Sequence, residues 1–165
     1  MQPEAKSGRM DAVAAHPVAE LLDCPPETGS LLSSSAQCLS FDSGETVFQQ
    51  NGDCKGLYLV ISGQFVRKAE RLKARMTLGP ARAGDFVELA AALGNSHHSC
   101  TLKAVTPGTL LLLPMVALER AFENYPTLRM RLLEELAREV SRAYLTCSLD
   151  RKVRTRRRGN GAPAK

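Results

Sequence analysis

Residues 41–65, FDSGETVFQQNGDCKGLYLVISGQF, constrain the fold more than any other stretch of this chain. Short β-prone runs, Thr46-Val47-Phe48, Leu57-Tyr58-Leu59-Val60-Ile61 and Gln64-Phe65-Val66, are separated by Asn51-Gly52-Asp53 and Ser62-Gly63. Asn-Gly and Ser-Gly between apolar β-formers predict hairpins, because glycine accepts the positive φ that tight turns need. The segment reads as the start of an antiparallel roll.

The β pattern continues. Residues 75–78, 100–105 and 109–113 are further strand candidates, punctuated by Gly79-Pro80 and Thr106-Pro107-Gly108. Many short strands at near-regular spacing over 38–114 predict a mainly β fold with flanking helices, a jelly-roll or double-stranded β-helix. One segment interrupts it. Residues 85–93, DFVELAAAL, read as a short helix with Asp85 as N-cap and Gly94 just past its end. Before the roll, 17–22 and 28–36 read as short helices divided by Pro25-Pro26, with Thr28 or Ser30 as cap of the second. After Pro114 the period turns helical, over 115–124 and then from Pro126 to about 149. On the long helix, Leu133, Leu136, Val140, Ala143 and Cys147 recur at 3-4-3-4 spacing, with Leu132 and Tyr144 beside them. That stripe predicts a homodimer seam within about 127–149, with packing on the roll as the alternative.

With 165 residues, 44% apolar, the chain has enough material for one domain with a real core. Residues 1–16 are polar and aperiodic and read as a flexible leader without the apolar centre of a signal peptide. No window has the length of a membrane span, so a cytoplasmic location is the default expectation. The five cysteines, at 24, 38, 54, 100 and 147, are scattered and form no C-x-x-C, which predicts reduced thiols rather than a disulfide framework or zinc site. The net charge of +5 is a local property. Arg151, Lys152, Arg154, Arg156, Arg157, Arg158 and Lys165 supply seven of the 22 cations, which leaves 15 cations against 17 carboxylates in the rest. Residues 150–165 read as a basic, disordered tail. Their functional alternative is nucleic-acid contact or attraction to another anionic partner, though without interleaved aromatics to stack on bases.

The run Gly44-Glu45, Val47-Phe48, Gly52-Asp53, 57–61 and Gly63 resembles the opening of the cyclic-nucleotide-binding sensory domain of the Crp/Fnr regulator superfamily. The resemblance covers about 18–148 in order: helices, roll, internal short helix, roll, short helix, long helix. It implies a ligand bound inside the roll, dimerisation through the long helix, and a helix-turn-helix beyond it. Only 16 residues follow Leu149, too few for that last module. The iron–sulfur clusters of some Fnr-type members need several N-terminal cysteines, and only Cys24 lies there.

The resemblance also locates a phosphate-binding cassette, in which Gly-Glu opens the short helix and Arg, then Ser/Ala and Thr/Ser, close it. The helix N–H groups and the arginine would neutralise a cyclic phosphate while the glutamate takes a ribose hydroxyl. In AGDFVELAAALGNSHHSCTLKA, Val87 precedes Glu88, His98 stands in the arginine's place, and Ser99 and Thr101 follow. An ungapped register instead matches a subgroup with Gly-Leu and Tyr-Glu, placing Glu88 on the glycine, Leu89 on the leucine, His98 on the tyrosine and Thr101 on the threonine. Both registers lack the arginine, so cyclic AMP is expected to bind weakly or not at all. Arg67, Arg75 and Arg82 are the cations that would have to reach a phosphate from elsewhere. His97, His98 and Cys100 read as an exposed loop rather than a metal site. Glu45 and Asp53 read as turn residues, and no nucleophile–base motif points to an enzyme. The functional expectation is a stand-alone sensory or regulatory module acting through a ligand or partners. Its rival is a nucleic-acid-associated regulator that works through the tail.

Overall fold

The computed structural model describes residues 7–9, 15–71 and 74–158. Strand β1 (Ser7–Arg9) is followed by helices α1 (Ala15–Leu22) and α2 (Pro26–Ser35). Strands β2 (Gln37–Phe41), β3 (Thr46–Phe48), β4 (Gly56–Ser62), β5 (Gln64–Arg71), β6 (Ala74–Arg82) and β7 (Phe86–Val87) come next. A π-helical turn (Ala91–Asn95), β8 (Thr101–Ala104), β9 (Gly108–Pro114), α3 (Met115–Asn124) and α4 (Pro126–Arg158) complete the chain.

Two antiparallel sheets make the roll, one in the order β1-β2-β9-β4-β7, the other β3-β8-β5-β6. The turn at Gly63 joins them, and it requires glycine twice over. Its φ is +83°, and a Cβ would lie 2.6 Å from the Cα of Gly108 and from the Pro107 carbonyl oxygen.

The continuous apolar runs of β4 and β9 have one physical cause: both faces of their sheet are buried. Tyr58, Val60, Leu110 and Leu112 point into the roll among Phe41, Phe48, Phe65 and Leu102. Leu57, Leu59, Leu111 and Leu113 point the other way, onto Leu22, Leu32, Leu118, Leu128 and Leu132 of the helical layer. Consecutive residues therefore serve two different cores.

Five local expectations need correction. Residues 7–9 are not leader but an edge strand on β2, with Ser7 opposite Leu39; residues 1–6 and 10–14 lie outside those described. Helix α2 starts at Pro26 with Pro25 as its uncapped N-cap residue, and Thr28 is buried instead of capping. Gly79-Pro80 does not end a strand. Phe65 pairs with Ala81 and Arg67 with Leu78, so the pair is accommodated as a bulge inside β6. A bulge suits Pro80, which has no N–H for a ladder. Residues 85–93 are not one helix, since Phe86-Val87 pair with β4, and helix begins only after Glu88. Asp85 accepts the Arg82 N–H in a turn at 2.8 Å, and Ser96 rather than Gly94 takes the left-handed position past the helical end, with φ 55°. Finally, α4 does not stop near 149 but runs to Arg158, about 50 Å in all. Residues 150–158 of the expected disordered tail are thus helical, and 159–165 lie outside the described residues.

Candidate functional site

Where β7 ends, Glu88 takes φ 70°, a left-handed conformation that strains a residue with a Cβ. The turn drives its carboxylate into the roll, where the side chain is 2% exposed. Three donors meet it there. The Ser99 N–H reaches Oε2 at 3.1 Å, the Ser99 hydroxyl reaches Oε1 at 3.1 Å, and the Cys100 thiol reaches Oε1 at 3.3 Å. His98, also 2% exposed, places Nδ1 3.5 Å from Oε2. That is an electrostatic contact rather than a formed hydrogen bond, and Nδ1 is buried with no hydrogen-bond partner.

Electrostatics follow from this cluster. Burial pushes the Glu88 pKa up, but His98, the Ser99 N–H and the Cys100 thiol outweigh it and leave the carboxyl below its ordinary value. Glu88 is therefore an anion at neutral pH. Burial, aided by the Glu88 charge, pushes the Cys100 thiol up to about 12. Burial also raises Cys54 and Tyr58. These groups are a thiol donor, a thiol and a phenol at neutral pH, not nucleophiles.

The His98 ring lies on Phe48, with centroids 3.7 Å apart and planes 5° from parallel, and Tyr58 tilts against both. Its backbone is fixed too: His98 N–H donates to the Gly52 carbonyl at 2.8 Å, and its carbonyl accepts from Asn51 N–H at 2.9 Å. The expectation that both histidines sit in an exposed loop therefore fails for His98. His97 does point outward, 3.5 Å from Asp53. Among the described residues no group of three or more His, Cys, Asp or Glu is arranged to hold a metal ion.

Of the five site residues read from the sequence, Glu88, His98 and Ser99 come together. Leu89 turns away into the helical core. Thr101 uses its hydroxyl to accept the Gln50 N–H at 3.0 Å, tying β8 to the β3–β4 connection. Glu45 does serve a turn, accepting the Asp42 N–H at 2.7 Å. Cys100, Phe48 and Tyr58 belong to the cluster and were not anticipated. The alternation of β8 was the available signal, since Cys100, Leu102 and Ala104 are all buried at spacing two.

A cation lies on the same inner surface. Arg67 shares strand parity with the inward Phe65 and Ala69 and sits opposite the buried Leu102. Its Nε donates to the Gly79 carbonyl at 3.1 Å, and its Nη1 meets Glu139 Oε1 of α4 at 2.6 Å. On α4, Leu128 and Leu132 are buried and Leu136, half-buried, packs on the helical core. The outward stripe is Met130, Leu133, Val140 and Tyr144, the last two 60% and 72% exposed. Ala143 is exposed as well. Outside the roll, Ala91, Leu93, Met115, Phe122 and Arg129 line a groove of about 510 Å³ between the π-helical turn and α3–α4. No helix among the described residues is long and apolar enough to cross a membrane.

Comparison with known proteins fits this architecture. The catabolite activator protein of Thermus thermophilus superposes with a TM-score of 0.65 at 26% identity, over 76% of this chain and 59% of that one. The sensor domain of the transcriptional regulator DNR of Pseudomonas aeruginosa gives 0.66 at 20% identity, over 78% and 91%, a likeness of fold. A curated relative, lysophospholipase NTE1 of Eremothecium gossypii, is 29% identical over 107 residues, 64% of this chain but 7% of that protein. The family model described as "Cyclic nucleotide-binding domain" matches residues 38–125, more than half of the chain. With the roll, the interrupted cassette and the long helix in that order, the chain belongs to the cyclic nucleotide-binding domain family.

Proposed function

We propose that this chain is a sensory and regulatory module, without enzymatic activity of its own, whose phosphate cassette has diverged from cyclic-nucleotide recognition. One observation carries this reading: the place of the phosphate-gripping arginine is held by His98, buried flat against Phe48. An imidazole so placed cannot present a two-pronged, permanently charged fork to a phosphate. Glu88 supports the same conclusion, because its carboxylate is already occupied by Ser99 and Cys100. The module works as a homodimer through the outward stripe of α4, with Leu133, Val140 and Ala143 retained from the seam expected in the sequence, and passes the state of the roll to partners through that helix.

Isothermal calorimetry at pH 7.5 tests the cassette. Cyclic AMP and cyclic GMP at about 100 μM are expected to give no saturable heat, because loss of roughly 4 kcal/mol of charge-assisted bonding weakens binding about a thousandfold. A dissociation constant below about 10 μM for either would overturn the reading.

A second reading, nucleic-acid contact through the basic end, draws on the unbroken course of α4 to Arg158, which puts Arg151, Lys152, Arg154, Arg156, Arg157 and Arg158 on a helix continuous with the dimer stripe. Salt-dependent binding to random duplex that disappears on removing 151–165 is the expected result under that reading.

A further inference from the structure

Among the described residues, the buried side chains of the roll are apolar except Glu88 and His98 at the cassette, and an arginine lies near them after all. It comes from β5. Arg67 is aligned by strand parity and by its bond to the Gly79 carbonyl, an oxygen at the β6 bulge. The guanidinium's charge reaches Cys100, where it opposes without overcoming the burial that raises the thiol. Its Nη1 is taken by a carboxylate that the roll does not own, Glu139, three residues past Leu136 on the stripe of α4 that packs toward the core. The Arg67 side chain is 22% exposed and that of Glu139 37%. The pair therefore sits at the mouth of the roll, neither sealed from a ligand nor bathed in solvent.

We propose that Arg67 is the anion-binding residue of this roll and that Glu139 is a built-in competitor, an internal anion that an incoming phosphoryl or carboxylate group displaces. The proposal rests on the sensing reading above and names the ligand class it lacked, a small anion. Displacement has a mechanical result. From Ala137 to Leu145 no apolar side chain of α4 is buried, and the Arg67–Glu139 pair ties that stretch of the helix to the roll. Exchanging Glu139 for a ligand oxygen conserves the charge pairing of Arg67 while releasing the helix. Ligand binding and helix position are then two readings of one competition, with reciprocal coupling.

The test uses E139Q, R67Q and the double variant, with cyclic AMP as the anionic probe and adenosine as its uncharged control. Both side chains reach solvent, at 22% and 37% exposure, and glutamine keeps most of their bulk, so all three are expected to fold, with circular dichroism as the check. E139Q is expected to bind cyclic AMP at least tenfold more tightly than wild type, with no gain for adenosine. The double variant should lose the gain. Amide hydrogen exchange over 136–145 should be faster in E139Q and R67Q than in wild type without any ligand. Equal cyclic AMP affinity in E139Q and wild type overturns the proposal, as does unchanged exchange over 136–145. Some other small molecule that binds wild type saturably and is indifferent to R67Q overturns it too, while leaving the sensing reading standing.

Discussion

The His98 imidazole lies parallel to the Phe48 ring at 3.7 Å, which turns a residue at the expected ligand position into part of the roll's aromatic packing. Phe48 is itself buried and touches Tyr58 at 5.1 Å between centroids. Replacing Phe48 with alanine removes the floor under His98 and opens a cavity, at a cost of about 3–5 kcal/mol. Chemical denaturation should show this as a lower midpoint. A loss below about 1 kcal/mol would mean that the stack contributes little.

Glu88 sets an acid limit. Its folded pKa lies below the ordinary 4.5, so its contribution to stability is present above that value and is lost as pH falls through the folded pKa. Glu88→Gln puts an amide where the Ser99 and Cys100 donors need an acceptor and should cost about 1–3 kcal/mol at pH 7. Below about pH 4.5 the wild type should converge on the variant. Denaturation midpoints that stay parallel down to pH 3 would remove Glu88 from this role.

Dimerisation is checked by mass. Light scattering of the wild type at micromolar concentration should report twice 17.9 kDa. Val140→Glu, on the exposed stripe, should halve it without changing the circular dichroism. Leu136→Ala, which touches the helical core, should lower stability and leave the mass doubled. The reverse pattern would exchange the roles of the two stripes.

Gly63→Ala probes the turn. With φ at +83° and backbone atoms at 2.6 Å from the added methyl, neither rotation nor a small shift relieves the clash. The expected loss is about 2 kcal/mol or more, seen in thermal unfolding. Gly44→Ala makes the comparison, because Gly44 has a similar φ of +88° but open space around it, and should cost less.

The roll was legible because its turns are chemically explicit. Ser62-Gly63 and the apolar runs of β4 and β9 admit few alternatives. What failed were places where a local signal competed with pairing to a distant strand. Gly79-Pro80 looks like a strand end, yet β5 pairs on both sides of it and absorbs it as a bulge. Phe86-Val87 look helical beside the six helix-forming residues of 88–93, yet β4 recruits them. Leu136 fits a heptad as well as Val140 does, and only the position of the roll decides which one faces inward. At the site, His98 was found by resemblance, but its burial depends on Phe48, fifty positions away. Glu139 gives no sequence signal at all, since on a charged helix it looks like any other solvated carboxylate.

The sheet with two buried faces has a consequence for how the molecule comes apart. Leu110 and Leu111 are joined by one peptide bond but sit in separate interiors, as do Tyr58 and Leu59. Lifting the helices would wet one side of β4 and β9, and prising open the roll would wet the other. Neither compartment can melt while its neighbour keeps the shared wall dry, so the domain should lose structure in one calorimetric step, with enthalpy matching its van't Hoff value. Where these strands are wetted on neither side, at 57–60 and 110–113, a protease finds no nick site short of global opening. Limited digestion should spare β4 and β9 until the whole fold has gone.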